Sequence, residues 1–488
     1  MKRLAKAVAW FASGSFIGTL SQVIKGKLSA VLLGAEGVGV LNQLTNLFTL
    51  VNSISGLSFY NGIVQRIASA KSEDDSVRLA SQLSTSLIFL TIFSSAAAGM
   101  SVAFAAQISH LIFGDNGDRA SLVAIVLLFV PFAVTSQTYR GLLSGHRLVR
   151  PIVVAQVFSD ILGLVVFAVL IYSHELLGAV VAFGALHAIK LFAQVYMVRS
   201  ALGAGYILPR LSRFQWSEVG TNFKYGINGL AISALSIGTV VIVSRWIIDD
   251  LGFAENGIFS VAWKVASLYL GAIYAAAGGY YLPSLVGAKG NAGLSAQVNQ
   301  TVVLYLFILP PMVIALVLGG ELLVRILFNQ EFVAAAFLLA LMLPGDLLRV
   351  TSESVGLSFL AKRRLLAYTG AYVVWAAVFL LLTRIFIGYF GLLGVALAYL
   401  ASHAFNLGLI LVLAKRAFAF SFTPASLRAL LLGLVATGLA ALASFLVDEL
   451  WRRGMVGAVL LSIWVLLSMK DESFRMLAGR AIAKVRKK

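Results

Sequence analysis

Asp346, Arg349 and Glu353 stand at spacings of three and four inside an apolar run from about Phe332 to Leu360. On a helix those spacings put all three on one face, as a negative-positive-negative ladder. The run is long enough to cross a bilayer with some tilt. Charge at that depth is costly unless it pairs and faces protein or water. Pro344 and Gly345 precede the ladder and let the helix bend there. Two readings fit. One is an internal salt bridge locking two helices. The other is the wall of a wet transport pathway, with Arg349 as an anion ligand and Asp346 and Glu353 as groups for gating or proton coupling.

Other polar groups interrupt the apolar stretches. Lys25 and Lys27 are two residues apart and cannot share a face. Lys25, one turn from Gln22, is assigned to an aqueous lumen, and Lys27 snorkels outward. Asn61, before Gly62, is either a helix-packing amide or a partner for a sugar hydroxyl. Arg66 reads as a topology signal. Arg140 follows Gln137, Asp160 lies deep in its stretch, and Lys190 has His187 one turn away. An Asp160–Lys190 or Asp160–Arg140 pair accounts for these structurally, and Asp160 is also a candidate for proton coupling. Lys264, between Trp263 and Tyr269, has no acidic neighbour in its own helix and is a ligand candidate. His403 and Asn406, three apart, read as core polar groups. The intramembrane set is therefore biased positive: Lys25, Arg140, Lys190, Lys264 and Arg349 against Asp160, Asp346 and Glu353. Ammonium and guanidinium groups in a wet lumen suit an anion such as phosphate.

The elements that must hold these groups follow from composition. Of 488 residues 60 % are hydrophobic and 12 % charged, with a mean hydropathy of +0.94; a soluble domain is about a quarter charged. Continuous apolar runs, not short alternating ones, mark an all-α polytopic membrane protein. There is no cysteine, and the five histidines are scattered, so neither a thiolate nor a metal site is expected. No glycine loop for a nucleotide is visible. No catalytic constellation or cofactor is expected, and the work would be driven by membrane potential or a proton gradient.

About fourteen spans are expected, at approximately 7–33, 38–65, 78–108, 119–145, 151–173, 176–201, 218–248, 256–283, 294–320, 332–360, 365–387, 391–414, 425–447 and 454–469. Met1-Lys2-Arg3 runs into the first without a small-residue cleavage site, which reads as a retained span. Alternate loops carry the bases, among them Arg147 and Arg150, Arg210 and Arg213, Lys362 to Arg364, Lys415 and Arg416, and the tail Lys484 to Lys488. The other loops carry acids such as Asp115, Asp118, Glu175, Asp249, Glu321 and Asp448. The positive-inside rule puts both termini in the cytoplasm and accounts for much of the net charge of +18 without nucleic acid as a partner. Short loops leave no room for an extramembrane domain.

The organisation expected is an N-lobe at 1–201, a cytoplasmic linker at 202–217, a C-lobe at 218–415, two extra spans at 416–470 and a basic tail at 471–488. The lobes read as a parallel repeat. Leu33-Gly34 and Gly39 recur as Leu251-Gly252 and Gly257 at an offset of 218, and Gly141 and Arg147 match Gly356 and Lys362. Gly278-Gly279-Tyr280-Tyr281-Leu282-Pro283 would let the eighth span flex or end.

Four motifs together carry a family likeness: Leu33-Gly34-Ala35-Glu36-Gly37-Val38-Gly39, Phe59-Tyr60-Asn61-Gly62-Ile63-Val64, Tyr280-Tyr281-Leu282-Pro283 and Pro344-Gly345-Asp346-Leu347-Leu348-Arg349. In order and spacing, over approximately residues 1–415, the chain resembles the Wzx-type O-antigen and enterobacterial-common-antigen flippases of the multidrug/oligosaccharidyl-lipid/polysaccharide exporter superfamily. The resemblance implies two six-helix MATE-like lobes in a V shape, alternating access, and movement of an undecaprenyl-pyrophosphate-linked oligosaccharide from the cytoplasmic to the periplasmic leaflet of a bacterial inner membrane. It places Asn61, Lys264, Asp346 and Arg349 in family-like segments and Lys25 in a span that carries lumen bases. A polysaccharide polymerase and a chain-length regulator are the implied partners, beside the lipid-linked glycan and the bilayer. The two extra spans are similar to fourteen-span members that include lipid II flippases. A drug/cation antiporter on the same fold is the main rival, and the positive bias argues against it. A membrane enzyme or a scaffold fits less well, because no acid/base cluster or large outer loop is visible and the intramembrane charges need a role.

Overall fold

The computed structural model describes residues 2–72, 76–114, 119–276, 281–447 and 449–470. Among these residues the chain is helical, apart from short 3₁₀ turns and connections, with no strand. In lipid an open backbone group has no water to bind, so each crossing closes its own hydrogen bonds as a helix. Ten of the described stretches are long and apolar enough to cross a membrane. Asp115, Asp118 and Asp448, residues Gly278 to Tyr280 of the expected flexible end, and the basic tail lie outside the described residues.

The chain divides into two compact units, Met1–Asn256 and Gly257–Lys488. The first holds α1 (Lys2–Gly56), α2 (Phe59–Ser72), α3 (Ser76–Ala103), α4 (Ala105–Phe113), α5 (Ala120–Leu127), α6 (Val130–Gly145), α7 (Val149–Leu202), α8 (Trp216–Asp250) and the first turn of α9 (Phe253–Ala276). The second holds the rest of α9, α10 (Leu282–Val286), α11 (Gly290–Leu318), α12 (Gly320–Leu327), α13 (Ala335–Ala361), α14 (Leu365–Phe390), α15 (Leu392–Phe418), α16 (Pro424–Leu446) and α17 (Leu450–Lys470).

At 55 and 54 residues α1 and α7 are far too long for one crossing. Each is broken at an expected joint. Gly34, with φ 64°, interrupts α1. His174 and Glu175, with φ −136° and 47°, interrupt α7. Helix α7 thus supplies two of the expected spans, whereas α1 supplies the first and only part of the second: the run expected at 38–65 is broken at Leu57 and Ser58, both at positive φ, and finishes in α2. Helices α9 and α17 hold the places of the eighth and fourteenth but are not among the ten qualifying stretches.

The 202–217 connection lies within the first unit as two short 3₁₀ turns. It is pinned to its neighbours. Ser81 Oγ donates to Arg213 O at 2.9 Å, Ser84 Oγ accepts from Arg210 N at 3.2 Å, and Thr85 Oγ1 accepts from Gln215 N at 3.0 Å. Tyr139 Oη donates to Ile207 O at 2.6 Å. Helix α8 packs on α1, α2 and α3.

In the second unit α13 is the hub, packed by α10, α11, α12, α14, α15 and α16. Its most apolar window is 83 % buried, against 22–50 % in the other nine qualifying stretches. A helix apolar on all sides except one charged face takes such a central place.

The chain repeats the same backbone breaks along its length. Gly34 and Gly252, paired in the sequence, both take positive φ, 64° and 109°. Further along, the offset is 216. Glu175 and Gly391 (φ 47° and 56°), Gly203 and Ala419 (98° and 53°), and Arg147 and Arg363 (both 57°) form equivalent pairs. Helices α6 and α13 end with the same hydrogen bonds, Leu148 N to Leu143 O and Arg364 N to Phe359 O, both at 2.8–2.9 Å. The equivalent of Arg147 is therefore Arg363, one residue beyond the Lys362 suggested by sequence spacing. The whole of α7, from Val149 to Leu202, corresponds end to end with α14 plus α15, from Leu365 to Phe418.

Candidate functional site

In the first unit α1, α6 and the two rods of α7 line a cavity of about 440 Å³. Helical periodicity puts one stripe of each on its wall. Ser15, Gly18, Thr19 and Gln22 come from α1, and Ser136, Gln137 and Arg140 from α6. The first rod of α7 gives Gln156 and Asp160, the second His187, Lys190 and Gln194. The break in α7 explains why residues thirty apart meet. Asp160 and Lys190 are equally far from Glu175 on either side, so they return to the same depth. Lys190 Nζ lies 3.7 Å from Asp160 Oδ1, and Ser21 Oγ donates to the Asp160 carbonyl at 3.0 Å.

Gly18 makes room for this floor. A methyl group there would lie 3.0 Å from Asp160 Oδ2 and 3.4 Å from Gln156 Nε2. Asp160, Gln194 and Ser136 are buried, whereas Gln22, Gln137 and Arg140 are exposed at the rim. Lys25, one turn beyond Gln22 on α1, interacts electrostatically with Asp160 and Lys190. Three cations therefore stand against one carboxylate. Of the sequence candidates, Arg140, Asp160 and Lys190 line one cavity, with Lys25 beside them. Gln156 and Gln194 were not singled out, although each sits four residues from a charged group on the same helix face.

The second unit holds the α13 ladder. Asp346 is fully buried and accepts one tyrosine hydroxyl on each oxygen: Tyr269 Oη on Oδ2 and Tyr399 Oη on Oδ1, both at 2.5 Å. Tyr399 Oη also accepts from Arg349 Nη1 at 3.2 Å. Arg349 Nε donates to Glu353 Oε1 at 3.1 Å, and the guanidinium lies 5.6 Å from the Tyr274 ring centre. Gly345 permits the approach of α15, because a methyl group there would meet Tyr399 and Leu400 at 3.3 Å. The salt bridge runs along α13 itself, and helix-to-helix locking falls to the tyrosine hydroxyls. Arg349 and Glu353 keep 26 % and 20 % of their side-chain surface accessible, so the ladder is sealed at Asp346 and open at its other end. His403 stacks on Trp375 at 5.3 Å and meets Tyr399 at 4.5 Å. Asn406 Nδ2 donates to Ser352 Oγ at 3.2 Å.

Lys264 and Asn61 join neither cluster. Both are exposed, and Lys264 has no acidic partner among the described residues. Trp263 beside it packs edge-on to Tyr399 at 5.7 Å. Arg66, read as a topology signal, instead forms an ion pair with Glu218, both side chains nearly buried. One turn along α8, Asn222 Oδ1 accepts from Gln82 Nε2 at 3.1 Å. The α2–α3–α8 contact is thus polar, and only tertiary packing reveals it.

Long apolar helices carrying buried charge clusters define a polytopic membrane protein, and solved structures share the fold. An inward-facing multidrug-resistance MATE transporter of the MOP superfamily aligns with TM-score 0.69 at 15 % identity, over 91 % of this chain and all of that one. The lipid II flippase MurJ in an inward closed conformation aligns with TM-score 0.67 at 13 % identity, over 95 % and 98 %. Residues 4–289 match the family described as "Polysaccharide biosynthesis protein", and the chain belongs to that family. The lipid III flippase of Escherichia coli (strain K12) is 25 % identical over 407 residues, 82 % of this chain and 95 % of that relative. By name these relatives are a transporter and flippases.

Proposed function

We propose that the protein is a flippase for a lipid-linked oligosaccharide. It moves an undecaprenyl-pyrophosphate-linked surface-polysaccharide unit from the cytoplasmic to the periplasmic leaflet of a bacterial inner membrane by alternating access. The observation that carries the reading is the α1–α6–α7 cavity, a polar and net-cationic space among apolar helices. Such a lining is expensive unless a polar, anionic ligand enters the membrane there. A prenyl tail stays in lipid while the head group takes the wet path. The name of the lipid III flippase relative supports a lipid-linked glycan. A cationic drug would be repelled by Lys25, Arg140 and Lys190, which disfavours the antiporter reading. Lys264 and Arg349, the latter at the accessible end of the ladder, are the anion-ligand candidates of the second unit. Membrane potential is the driving force favoured, with proton coupling through Asp160, Asp346 or Glu353 as the rival. A polymerase and a chain-length regulator are the downstream partners.

The test is a strain lacking the gene, complemented with wild type, Arg140→Gln or Lys264→Gln at matched membrane levels. The expected result is glycan build-up on the cytoplasmic face without the gene, rescue by wild type, and at least a tenfold loss of flipping rate in either variant. Normal surface glycan without the gene, together with no translocation by the purified protein in proteoliposomes, would overturn the reading.

A further inference from the structure

The cavity floor is built differently from its rim. At the rim Arg140 is exposed, with Gln22 and Gln137 beside it. On the floor Gln194 is 5 % exposed, and its Oε1 is buried with no hydrogen-bond partner among the described residues. His187 Nε2, also on the wall, is likewise buried and unpartnered. Asp160 sits beside them, its Oδ1 facing Lys190 at 3.7 Å.

A site for pyrophosphate needs donors, because that group has lone pairs to offer and no protons to give near neutral pH. An amide oxygen and a carboxylate facing it would repel it. A sugar hydroxyl both donates and accepts. It can give its proton to Gln194 Oε1 or to Asp160 and accept from Gln156 or Lys190. A buried acceptor left open is unfavourable until a donor arrives, so the floor is complementary to a polyhydroxylated ring. Gly18 keeps the α1 side of that floor clear of a side chain. The volume, about 440 Å³, falls in the usual range for a small-molecule pocket.

Resting on the flippase reading, we infer that the floor of this cavity, Gln156, Asp160 and Gln194, recognises a sugar ring of the substrate, while Arg140 at the rim takes the adjoining pyrophosphate. The cavity is then a specificity site and not only an electrostatic sink. Sugar identity is read by hydroxyl and amide groups meeting Gln194 and Gln156.

The test uses the full-length protein in lipid nanodiscs and measures Kd for farnesyl pyrophosphate and for farnesyl pyrophosphate carrying one hexose or one N-acetylhexosamine. Wild type is expected to prefer at least one glycosylated probe to the bare one by about tenfold. Gln194→Leu, close in volume, and Gly18→Val, which fills the floor from α1, are each expected to cut that preference at least fivefold. Arg140→Gln is expected to weaken all probes by one common factor and leave the preference standing. If Gln194→Leu and Gly18→Val weaken bare and glycosylated probes equally, or if wild type prefers no sugar, the inference fails and the flippase reading survives. If wild type binds no prenyl pyrophosphate at all, both fall.

Discussion

Asp346 shows how a costly residue is made tolerable. A buried carboxylate needs its lone pairs occupied, and Tyr269 and Tyr399 each fill one oxygen. Tyr399 does double duty, since its hydroxyl also takes a proton donor from Arg349. Tyr399→Phe therefore removes a donor from one charge and an acceptor from another. The expected loss is about 1–3 kcal/mol of stability, read from chemical denaturation of the detergent-solubilised protein. A double-mutant cycle with Asp346→Ala should give a coupling of about 0.5–3 kcal/mol. Additivity would mean that the contact carries no energy. Much of this was legible in the chain: the spacing of Asp346, Arg349 and Glu353 gives one helix face by periodicity alone. The tyrosines were not legible, because they lie 77 and 53 residues away. The bare backbone at Gly345 helps α15 pack closely on α13.

At the scale of elements, the α7 hairpin does the positioning. Its break sets Asp160 opposite Lys190, and its tightness depends on Gly178, where an added methyl group would collide with the backbone carbonyl of Leu170. The equivalent hairpin between α14 and α15 uses Gly394 against the carbonyl of Phe386 in the same way. Backbone cannot yield as a side-chain tip can, so Gly178→Ala and Gly394→Ala should each cost about 1–3 kcal/mol or more. Gly438, with open space around it in α16, is the control. Alanine there should leave stability unchanged or raise it by about 0.5–1 kcal/mol. Thermal midpoints of the three variants in one detergent decide the matter; equal effects would mean that the hairpin glycines are replaceable. The turn between residues 173 and 176 was readable from hydropathy. That it is a two-residue break inside a nearly continuous helix was not, because polar composition marks where a span ends and says little about how sharply it turns. The Arg66–Glu218 pair escaped for a related reason, since its partners lie on helices whose contact no local pattern announces.

Over the whole molecule, one scaffold is used twice with different chemistry. Sequence spacing caught the Gly34 and Gly252 pair but missed Glu175 with Gly391 and Gly203 with Ala419, because the backbone conformation is kept while the residue type changes. With the 216 offset, His187 and Lys190 correspond to His403 and Asn406, and the charged face Asp346, Arg349, Glu353 corresponds to Val130, Ala133, Gln137. The charge of Lys190 on α7 thus has only an amide as its counterpart on α15, and the ladder on α13 has no charged counterpart on α6. A carrier whose polar cavity held more carboxylates than bases would suit a coupling cation. One whose first unit presents Lys25, Arg140 and Lys190 around a single Asp160 suits an anion that moves with the membrane voltage. Outward movement of a negative head group from a negative interior gains roughly 2.3 kcal/mol per charge per 100 mV. In proteoliposomes with a potassium diffusion potential, flipping toward the positive side should accelerate as the potential rises and slow when it is reversed. A pH gradient imposed at clamped voltage should have little effect. A rate that follows the pH gradient and ignores the voltage would instead assign the work to protonation of the buried carboxylates, with Asp346→Asn and Asp160→Asn then separating the two units' shares.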